Sequence, residues 1–575
     1  MPQLILGIHP GIHDASAAIF RDYDLVAAVQ LERLTRIKSD GRVFPDACID
    51  EVLSIAGATR RDVDVVAISR MAMPVEHFTH FRGWRWLREQ YRTRVQGFPR
   101  RMFARELRRA NTLRAEAIYD FAGFRRAAGF RPDAELFFYN HHEAHALPAL
   151  FYTDWDDALL VTADAGGDNI DYSHSHFANG RLTTIYGGDG LLLRPTPIDS
   201  LGRLYGAATD ALGFKSLRHE GKVTGLSAMG SPRFYDEIAA HFRIGEDGRI
   251  DSDFLKHDHM WPFMRAIAAK ARREDVAASV QKVLEDFMLE SVRRLLRRHP
   301  ARHLGVAGGI FANVKLNRVL AEQLALEEIF IVPPMGDEGM STGGPLVYLL
   351  RRDGLERWLA ARRRLEHVYL GRDYSGLADK VLERAPGVAK TGEAPVEGAG
   401  ERLARGELGA IYTGRMEFGP RALGARSILA NPARRETHDL LNQRLERSEF
   451  MPFAPVISAA RASEVFEVNS RNAYACRFMT ITCDVRPAWR QRIQAVVHVD
   501  GSARPQVIER APNPLYFDVL SAFERRTGLP VLVNTSFNVH EEPIVNRPEE
   551  CAQALTDGRI DFVVTERAIY ARRSA

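Results

Sequence analysis

Cysteine is scarce: Cys48, Cys476, Cys483 and Cys551 are the only four in 575 residues, and no two form a CxxC pair. That count argues against a disulfide framework and a cysteine zinc site, and it fits a reducing cytoplasm. Also missing is any apolar run long enough to span a membrane. The chain opens directly on Leu4-Ile-Leu-Gly-Ile8, with no basic segment and apolar stretch of secretory type ahead of it. The expectation is a soluble, unexported, cytoplasmic protein with no membrane partner. Charge of one sign is lacking too, since 78 Lys+Arg against 74 Asp+Glu leave a net +4. Such a balance by itself argues neither for nor against nucleic acid. Finally, the glycine pair Gly308-Gly309 lacks a Walker lysine-serine and a complete GxGxxG, so neither a P-loop nor a dinucleotide site is supported.

What is present is an ordinary globular composition, 45% hydrophobic and 26% charged, in a chain long enough for more than one domain. The most informative stretch is Tyr139-Asn140-His141-His142-Glu143-Ala144-His145, with Asp164 following nineteen residues later. Leu136 to Tyr139 reads as a strand and Ala144 to Tyr152 as a helix, which puts His141 and His145 on one face of a first helical turn. Two imidazoles on one face, joined by a carboxylate from the next strand end, make a three-ligand metal site with positions open to substrate. A polar helix start with structurally satisfied histidines is the competing reading.

Two segments share one plan. Residues 3–33 read as strand, polar loop, strand, turn and strand, and residues 157–187 repeat this order, with a loop expected from Asp164 to Asn169. Such duplication suggests an actin-like ATPase architecture with a nucleotide in the cleft between halves; a chance likeness of two meanders is the alternative. Further along, Glu220 to Gly230 is a glycine-containing stretch whose Lys222 could meet a phosphate or carboxylate. The spacing of Val276, Val280, Val283, Leu284, Phe287, Met288 and Val292 predicts a helix over 275–298. Two strand-glycine-helix turns follow, one through Gly308-Gly309 into a helix opening near Asn313, the other from Ile329 through Pro333 to Gly339. Such turns aim backbone N–H groups at anions and set Asp337 at a strand's carboxyl end as a fourth metal-ligand candidate.

The charged run Arg351 to Arg364 reads as a helix leading to a boundary, giving domains at 1–352 and 366–575. In the second, Arg415, Arg421 and Arg426 fall in one glycine-punctuated turn, and guanidinium forks of that kind suit phosphate groups. Surface salt bridging is the competing account of any one of them. Residues 82–131 hold fourteen arginines interleaved with aromatics, but Glu89, Glu106, Glu116 and Asp120 interrupt them, which favours a surface helical insertion over a nucleic-acid site.

Taken in order, these motifs resemble the O-carbamoyltransferase family of nodulation protein U and the cephamycin and tobramycin carbamoyltransferases. The resemblance spans nearly the whole chain. It rests on Gly7 to Ala18 with His13-Asp14, Glu32 to Lys38, His141 to His145, Asp164, Gly221 to Gly230, Gly308 to Asn317, Pro333 to Gly339, Gly419 to Ser427, Pro452 to Pro455 and Asn534 to Asn538. It implies an α/β protein in which a duplicated actin-like (ASKHA) domain, similar to the threonylcarbamoyl transferase of tRNA modification, precedes a YrdC-like domain. The activity implied has two steps: ATP and carbamoyl phosphate give carbamoyl adenylate in the second domain, and the first transfers the carbamoyl group to a hydroxyl of a small-molecule acceptor.

Site residues follow from the same resemblance. Catalysis falls to His13 as candidate base, with Asp14 and Lys38, beside a divalent metal, Fe(II) in similar proteins, on His141, His145, Asp164 and Asp337; these ligands would equally admit manganese or zinc. Nucleotide-facing residues of the first domain are Gly166, Gly167, Lys222, Gly308, Gly309 and Asn313. Arg415, Arg421, Arg426, Arg447, Arg504, Asn534 and Ser536 are expected around carbamoyl phosphate and ATP. One departure is Met451, where many family members carry an arginine before Pro-Phe-Ala-Pro; Arg444 or Arg447 could supply that contact. Rival readings are a tRNA-modifying enzyme and a non-enzymatic ATP-binding scaffold, and carbamoyl-phosphate-dependent ATP–pyrophosphate exchange separates them.

Overall fold

The computed structural model describes residues 2–11, 13–70, 72–74, 77, 87, 101–103, 119–191, 200–254, 257–447 and 452–573. Most of the arginine-rich stretch 82–131 and Met451 lie outside the described residues, and with them the expectations attached to both. A first mixed sheet is built from β1 (Leu4–His9), β2 (Ser16–Arg21), β3 (Asp24–Gln30), β4 (Val65–Ser69) and β5 (Glu135–Tyr139), ordered β3-β2-β1-β4-β5. A second contains β6 (Asp157–Gly167), β7 (Ile170–Ala178), β8 (Arg181–Tyr186), β9 (His303–Ala307) and β10 (Glu328–Ile331), ordered β8-β7-β6-β9-β10. In each sheet the first strand pairs antiparallel with the second and parallel with the fourth, and the fourth pairs parallel with the fifth. The duplication expected from two meanders therefore extends to whole sheets.

Burial explains which segments take the centre. Ile5, Leu6 and Ile8 of β1, Val65 to Ile68 of β4, and Leu304 and Val306 of β9 are all buried, as parallel strands covered on both faces require. The edge strand β8 instead exposes Arg181, Thr183 and Thr184. One local expectation needs correcting. No loop runs from Asp164 to Asn169: β6 continues to Gly167 and reverses at Asp168-Asn169, whose φ values of 48° and 69° fit a tight hairpin turn. A register shift between Ala163 and Gly167 marks a bulge at Asp164, the device that re-aims a side chain within a strand. The glycine-containing stretch that begins at Glu220 is helical through Ser227.

The helices that matter for the site are α1 (His141–Phe151), α2 (Glu220–Ser227), α3 (Arg273–Arg298), α4 (Val314–Gln323) and α5 (Met340–Asp353). Helix α3 buries Val276, Val280, Val283, Leu284, Met288 and Val292 as its spacing predicts. Gly354 divides the charged run expected to form one helix, with a second short helix at Leu355–Ala360. Helices α1 and α5 follow the last strand of their respective sheets and pack on one another. Pro148 has no N–H, so the Ala144 carbonyl loses its helical donor. That oxygen lies only 1.8 Å from where a Cβ on Gly343 would stand, and a Cβ on Gly7 of β1 would stand 1.9 Å from the Ser341 carbonyl.

Residues 388–572 form an eight-stranded mixed sheet from β11 (Val388–Gly392), β12 (Gly409–Tyr412), β13 (Arg426–Ala430), β14 (Ala454–Ser458), β15 (Gln506–Ile508), β16 (Val531–Ser536), β17 (Phe562–Val564) and β18 (Ile569–Arg572). Its order is β11-β18-β17-β12-β13-β16-β14-β15. This half is tied to the first by polar bonds: the buried Arg33 Nη2 donates to the Gly419 carbonyl at 2.8 Å, and the partly buried Arg36 donates to the carbonyls of Ile544 and Pro543 at 2.7 and 2.8 Å. No helix among the described residues is long and apolar enough to cross a membrane.

The α1–α5 contact gives a test of the packing account. Gly343→Ala should lower unfolding stability by about 1–3 kcal/mol, the range for overpacking a close contact. Gly221→Ala, whose Cβ meets nothing within 4 Å, should be neutral or stabilising by up to about 1 kcal/mol. Thermal or denaturant unfolding of both variants measures the difference.

Candidate metal centre

The carboxyl ends of both five-stranded sheets face one another, and each delivers polar side chains to the same point. From β5 the chain passes through Asn140, whose side chain accepts from the N–H groups of His142 and Glu143 at 3.0 and 3.1 Å and so caps α1. This cap sets His141 and His145 one turn apart on the inner face. The bulge in β6 supplies Asp164, and the turn between β10 and α5 supplies Asp337. One ligand atom from each of His141, His145, Asp164 and Asp337 lies within 4.8 Å of all the others.

Distances within this group suit a shared cation. His145 Nε2 stands 3.4 Å from both Asp164 Oδ2 and Asp337 Oδ1, and His141 Nε2 stands 3.7 Å from the same two atoms. Neither Nε2 atom, though buried, has a hydrogen-bond partner. Ligands bound about 2.1 Å from one ion lie about 3.0–3.4 Å apart, so the residues present fit a divalent metal of the imidazole-carboxylate class. Supporting contacts orient the ligands: Asp164 accepts from the N–H groups of Ala165 and Gly309 at 2.6 and 3.2 Å, and the His141 N–H donates to Asp168 Oδ2 at 2.8 Å. A Cβ on Gly167 would fall 2.2 Å from the His141 ring, so only glycine leaves that imidazole in place.

Charge pairing governs protonation here. Burial alone would neutralise His145, but the Asp164 and Asp337 carboxylates outweigh it and raise the group to about 9. Burial opposes ionisation of Asp164 as well, yet the two imidazoles hold it well below the usual carboxylate range. The same attraction would draw a cation to the pair of carboxylates. His142 does not join the group: its ring nitrogens meet Thr162 Oγ1 at 2.7 Å and the Ile170 carbonyl at 3.1 Å, and burial lowers it to about 3.

His13 sits at the rim, Nδ1 3.0 Å from Asp14 Oδ2 and Nε2 3.9 Å from Asp337 Oδ2. Burial disfavours its charge, but Asp14, Asp337 and Asp164 together raise it to about 10. Two of those carboxylates belong to the metal group, so their hold on the His13 proton weakens when a cation neutralises them. Lys38 lies 3.6 Å from Glu32 Oε1, with its pKa lowered mainly by burial. Sequence reasoning missed two buried neighbours. His9 Nε2 is 3.8 Å from Asp337 Oδ2, and Glu338 is pushed up to about 8 by burial and by Asp14 and Asp337. Nothing in their local sequence reports burial; the strand-end position of His9 was the available signal.

The remaining expected residues do not form a single second cluster. Gly166, Gly167, Gly308 and Gly309 border the metal group, whereas Asn313 caps α4 through the Leu316 N–H at 3.0 Å and is bonded to Gln281 at 2.8 Å. Lys222 is buried on α2 with Nζ 3.4 Å from His540 Nε2 in the other half. Arg415 and Arg426 act as braces. Arg415 donates to the carbonyls of Gly371, Val26 and Leu370 at 2.6–2.8 Å. Arg426 is fully buried, stacks over Tyr412, and donates to the carbonyls of Thr413, Ala425 and Gly414. Neither guanidinium is presented as the phosphate clamp the sequence suggested. Arg447 reaches the end of β16, bonding Thr535, Ser536 and Asn538 at 2.7–3.0 Å, and Asn534 Nδ2 donates to Gln506 and to the Ala422 carbonyl. Arg421 and Arg504 are half-buried.

Residues 4–346 match the family model "Carbamoyltransferase N-terminus" and residues 400–572 match "Carbamoyltransferase C-terminus". The nodulation protein NolNO of Sinorhizobium fredii is 31% identical over 586 residues, covering 98% of this chain and 80% of that protein. An uncharacterized protein of Methanocaldococcus jannaschii is 31% identical over 468 residues, 77% of this chain and 75% of that one. The nodulation protein U of Azorhizobium caulinodans is 32% identical over 310 residues, 53% of this chain and 51% of its own length. Likeness to solved structures is shallow: full-length HypF in its phosphate- and nucleotide-bound form gives a TM-score of 0.33 at 13% identity, over 61% of this chain and 56% of HypF.

The fit of the four ligands leads to a measurable expectation. Purified protein should hold about one equivalent of a divalent transition metal, and His141→Ala or His145→Ala should lose it, because removing an imidazole from so small a ligand set leaves too few donors. Elemental analysis of the three proteins is the check; unchanged metal in both variants would make the histidines structural.

Proposed function

The chain belongs to the carbamoyltransferase family of enzymes, and on that premise we propose that it is an ATP-dependent O-carbamoyltransferase with its two steps in different halves. In residues 366–575, a YrdC-like unit in this reading, water splits carbamoyl phosphate into carbamate and phosphate, and a carbamate oxygen attacks the α-phosphorus of ATP, giving carbamoyl adenylate as pyrophosphate leaves. In residues 1–352 a hydroxyl of a small natural-product or sugar acceptor attacks the carbamoyl carbon, and AMP leaves. Membrane and nucleic acid have no part in this scheme. The observation that carries it is the buried group of His141, His145, Asp164 and Asp337 where the two sheets meet.

Each step asks something specific of the chain. The first handles a dianionic donor and a pyrophosphate leaving group, which need cationic contacts held in place before reaction. Arg421, Arg447 and Arg504, with Asn534 and Ser536, are the proposed set, and Arg415 and Arg426 shape the loops around them. The buried Glu417 carboxylate accepts from the N–H groups of Leu423, Ala425 and Arg426 at 2.7–3.1 Å and so fixes the turn that carries Arg421. In the second step, a divalent ion on the four ligands, Fe(II) in this proposal, would supply Lewis-acid polarisation of the carbamoyl carbonyl and a counter-charge for the phosphate. His13, held by Asp14, would move the acceptor's proton, and Lys38 would add positive charge beside it. Gly166, Gly167, Gly308 and Gly309 leave room beside the ligands for the nucleotide.

Separate halves predict separable defects. Arg421→Ala should reduce carbamoyl-phosphate-dependent ATP–pyrophosphate exchange at least about 100-fold. His13→Ala should keep exchange near the parent rate while transfer to the acceptor falls by about 10²–10⁴. Isotope exchange and carbamoyl-product assays on the same preparations distinguish the two; equal loss of exchange in both variants would point to a single composite site.

A further inference from the structure

The duplicated topology puts four strand ends around the metal centre, two from each sheet. The outer strands β5 and β10 lead to His141 and Asp337, and the central strand β6 delivers Asp164. The corresponding central strand of the first sheet, β1, ends on His9. This residue is fully buried, and its Nε2 has no hydrogen-bond partner and lies 3.8 Å from Asp337 Oδ2. Its other ring nitrogen, Nδ1, meets Ser69 Oγ at the end of β4 at 3.1 Å, which fixes the ring plane. Asp337 thereby divides its two oxygens: Oδ1 faces His141 and His145, and Oδ2 faces His9 and His13.

We propose that His9 is a positioning residue for Asp337, holding the ligand carboxylate in its bridging orientation through an Nε2–H directed at Oδ2. The inference rests on the metal reading of the four-residue group. Electrostatics selects the tautomer: a bare Nε2 lone pair facing a carboxylate would repel it, whereas an N–H there attracts it, with the Ser69 hydroxyl donating to Nδ1. A gap of 3.8 Å is longer than a formed hydrogen bond, and contacts of this kind close when the site takes its ligand. A burial cost favours the same role, because a polar imidazole placed in a core without a task would leave an unsatisfied donor there. His13 differs in being only partly buried at the rim and bonded to Asp14, so it is available for proton transfer where His9 is not.

Cobalt(II) binding to the stripped full-length protein, measured by chelator competition and by its visible spectrum, tests the inference. The parent should take one equivalent, and His9→Ala should weaken affinity about 10–100-fold with the stoichiometry and spectrum kept, as expected for a partner of a ligand. His9→Gln, which retains an N–H donor, should recover most of the loss. Ser69→Ala, which keeps His9 but releases its ring, should weaken binding less than His9→Ala, and it reports on the inference even if His9→Ala misfolds. Nitrogen-15 NMR of the metal-free parent should show His9 with its proton on Nε2. Parent-like affinity in both His9→Ala and Ser69→Ala, a lost equivalent or altered spectrum, or a bare Nε2 would each overturn the role. A parent that takes up no cobalt, or whose uptake survives His141→Ala, would instead remove the metal reading itself and the inference with it.

Discussion

Helices α1 and α5 touch where one lacks a helical donor and the other lacks a side chain, and the metal group depends on that contact. Pro148 frees the Ala144 carbonyl, and Gly343 offers the only residue type that can lie against it. The approach brings the first turn of α1 against the turn ahead of α5, so His141 and His145 meet Asp337 without any long side chain having to reach across. Tyr139 packs where a Cβ on Gly344 would fall, which ties the same contact to the end of β5. With the two sheets joined through this pair of helices, the bulge in β6 needs only to turn Asp164 inward.

Bringing two carboxylates and two imidazoles into one buried spot carries an electrostatic cost that mutual pairing offsets in part. The directions of the shifts show the balance: His145 is raised, Asp164 is lowered, and Glu338, next to Asp337 but outside the imidazole pairing, is raised to about 8. The C-terminal half handles its charges differently. Arg415 and Arg426 are bonded to main-chain carbonyls, and Glu417 binds main-chain N–H groups, so these ions shape loops. Between the halves, His219 and Arg218 meet Glu541 at 2.7 and 3.3 Å, close to the Arg36 contacts with 543–544. The two halves are thus joined by a polar seam.

Legibility from sequence followed periodicity and strand ends. The HxxxH spacing and the strand-turn-helix around Asp337 specify local geometry, and that geometry alone brings the four ligands to the cleft once the sheets duplicate. Burial was not legible. His9 and Glu338 sit beside the same group, yet a histidine after an apolar strand and a glutamate after an aspartate look alike in exposed and buried settings. The bracing roles of Arg415 and Arg426 were not legible for a related reason: a guanidinium among glycines suits a phosphate and a cluster of backbone carbonyls equally well, and only the folded neighbours show the carbonyls. At 220–227 the glycines do not interrupt α2, because Val223 and Leu226 are buried on its core-facing side and tertiary packing overrides propensity.

X-ray absorption spectroscopy of the metal in the purified protein tests the central claim most directly, because it reads donor type and not activity. The account predicts scattering from two imidazoles with the rest of the inner shell made of oxygen, as His141, His145, Asp164 and Asp337 require. Sulfur in the inner shell, or an all-oxygen shell without imidazole, would contradict it.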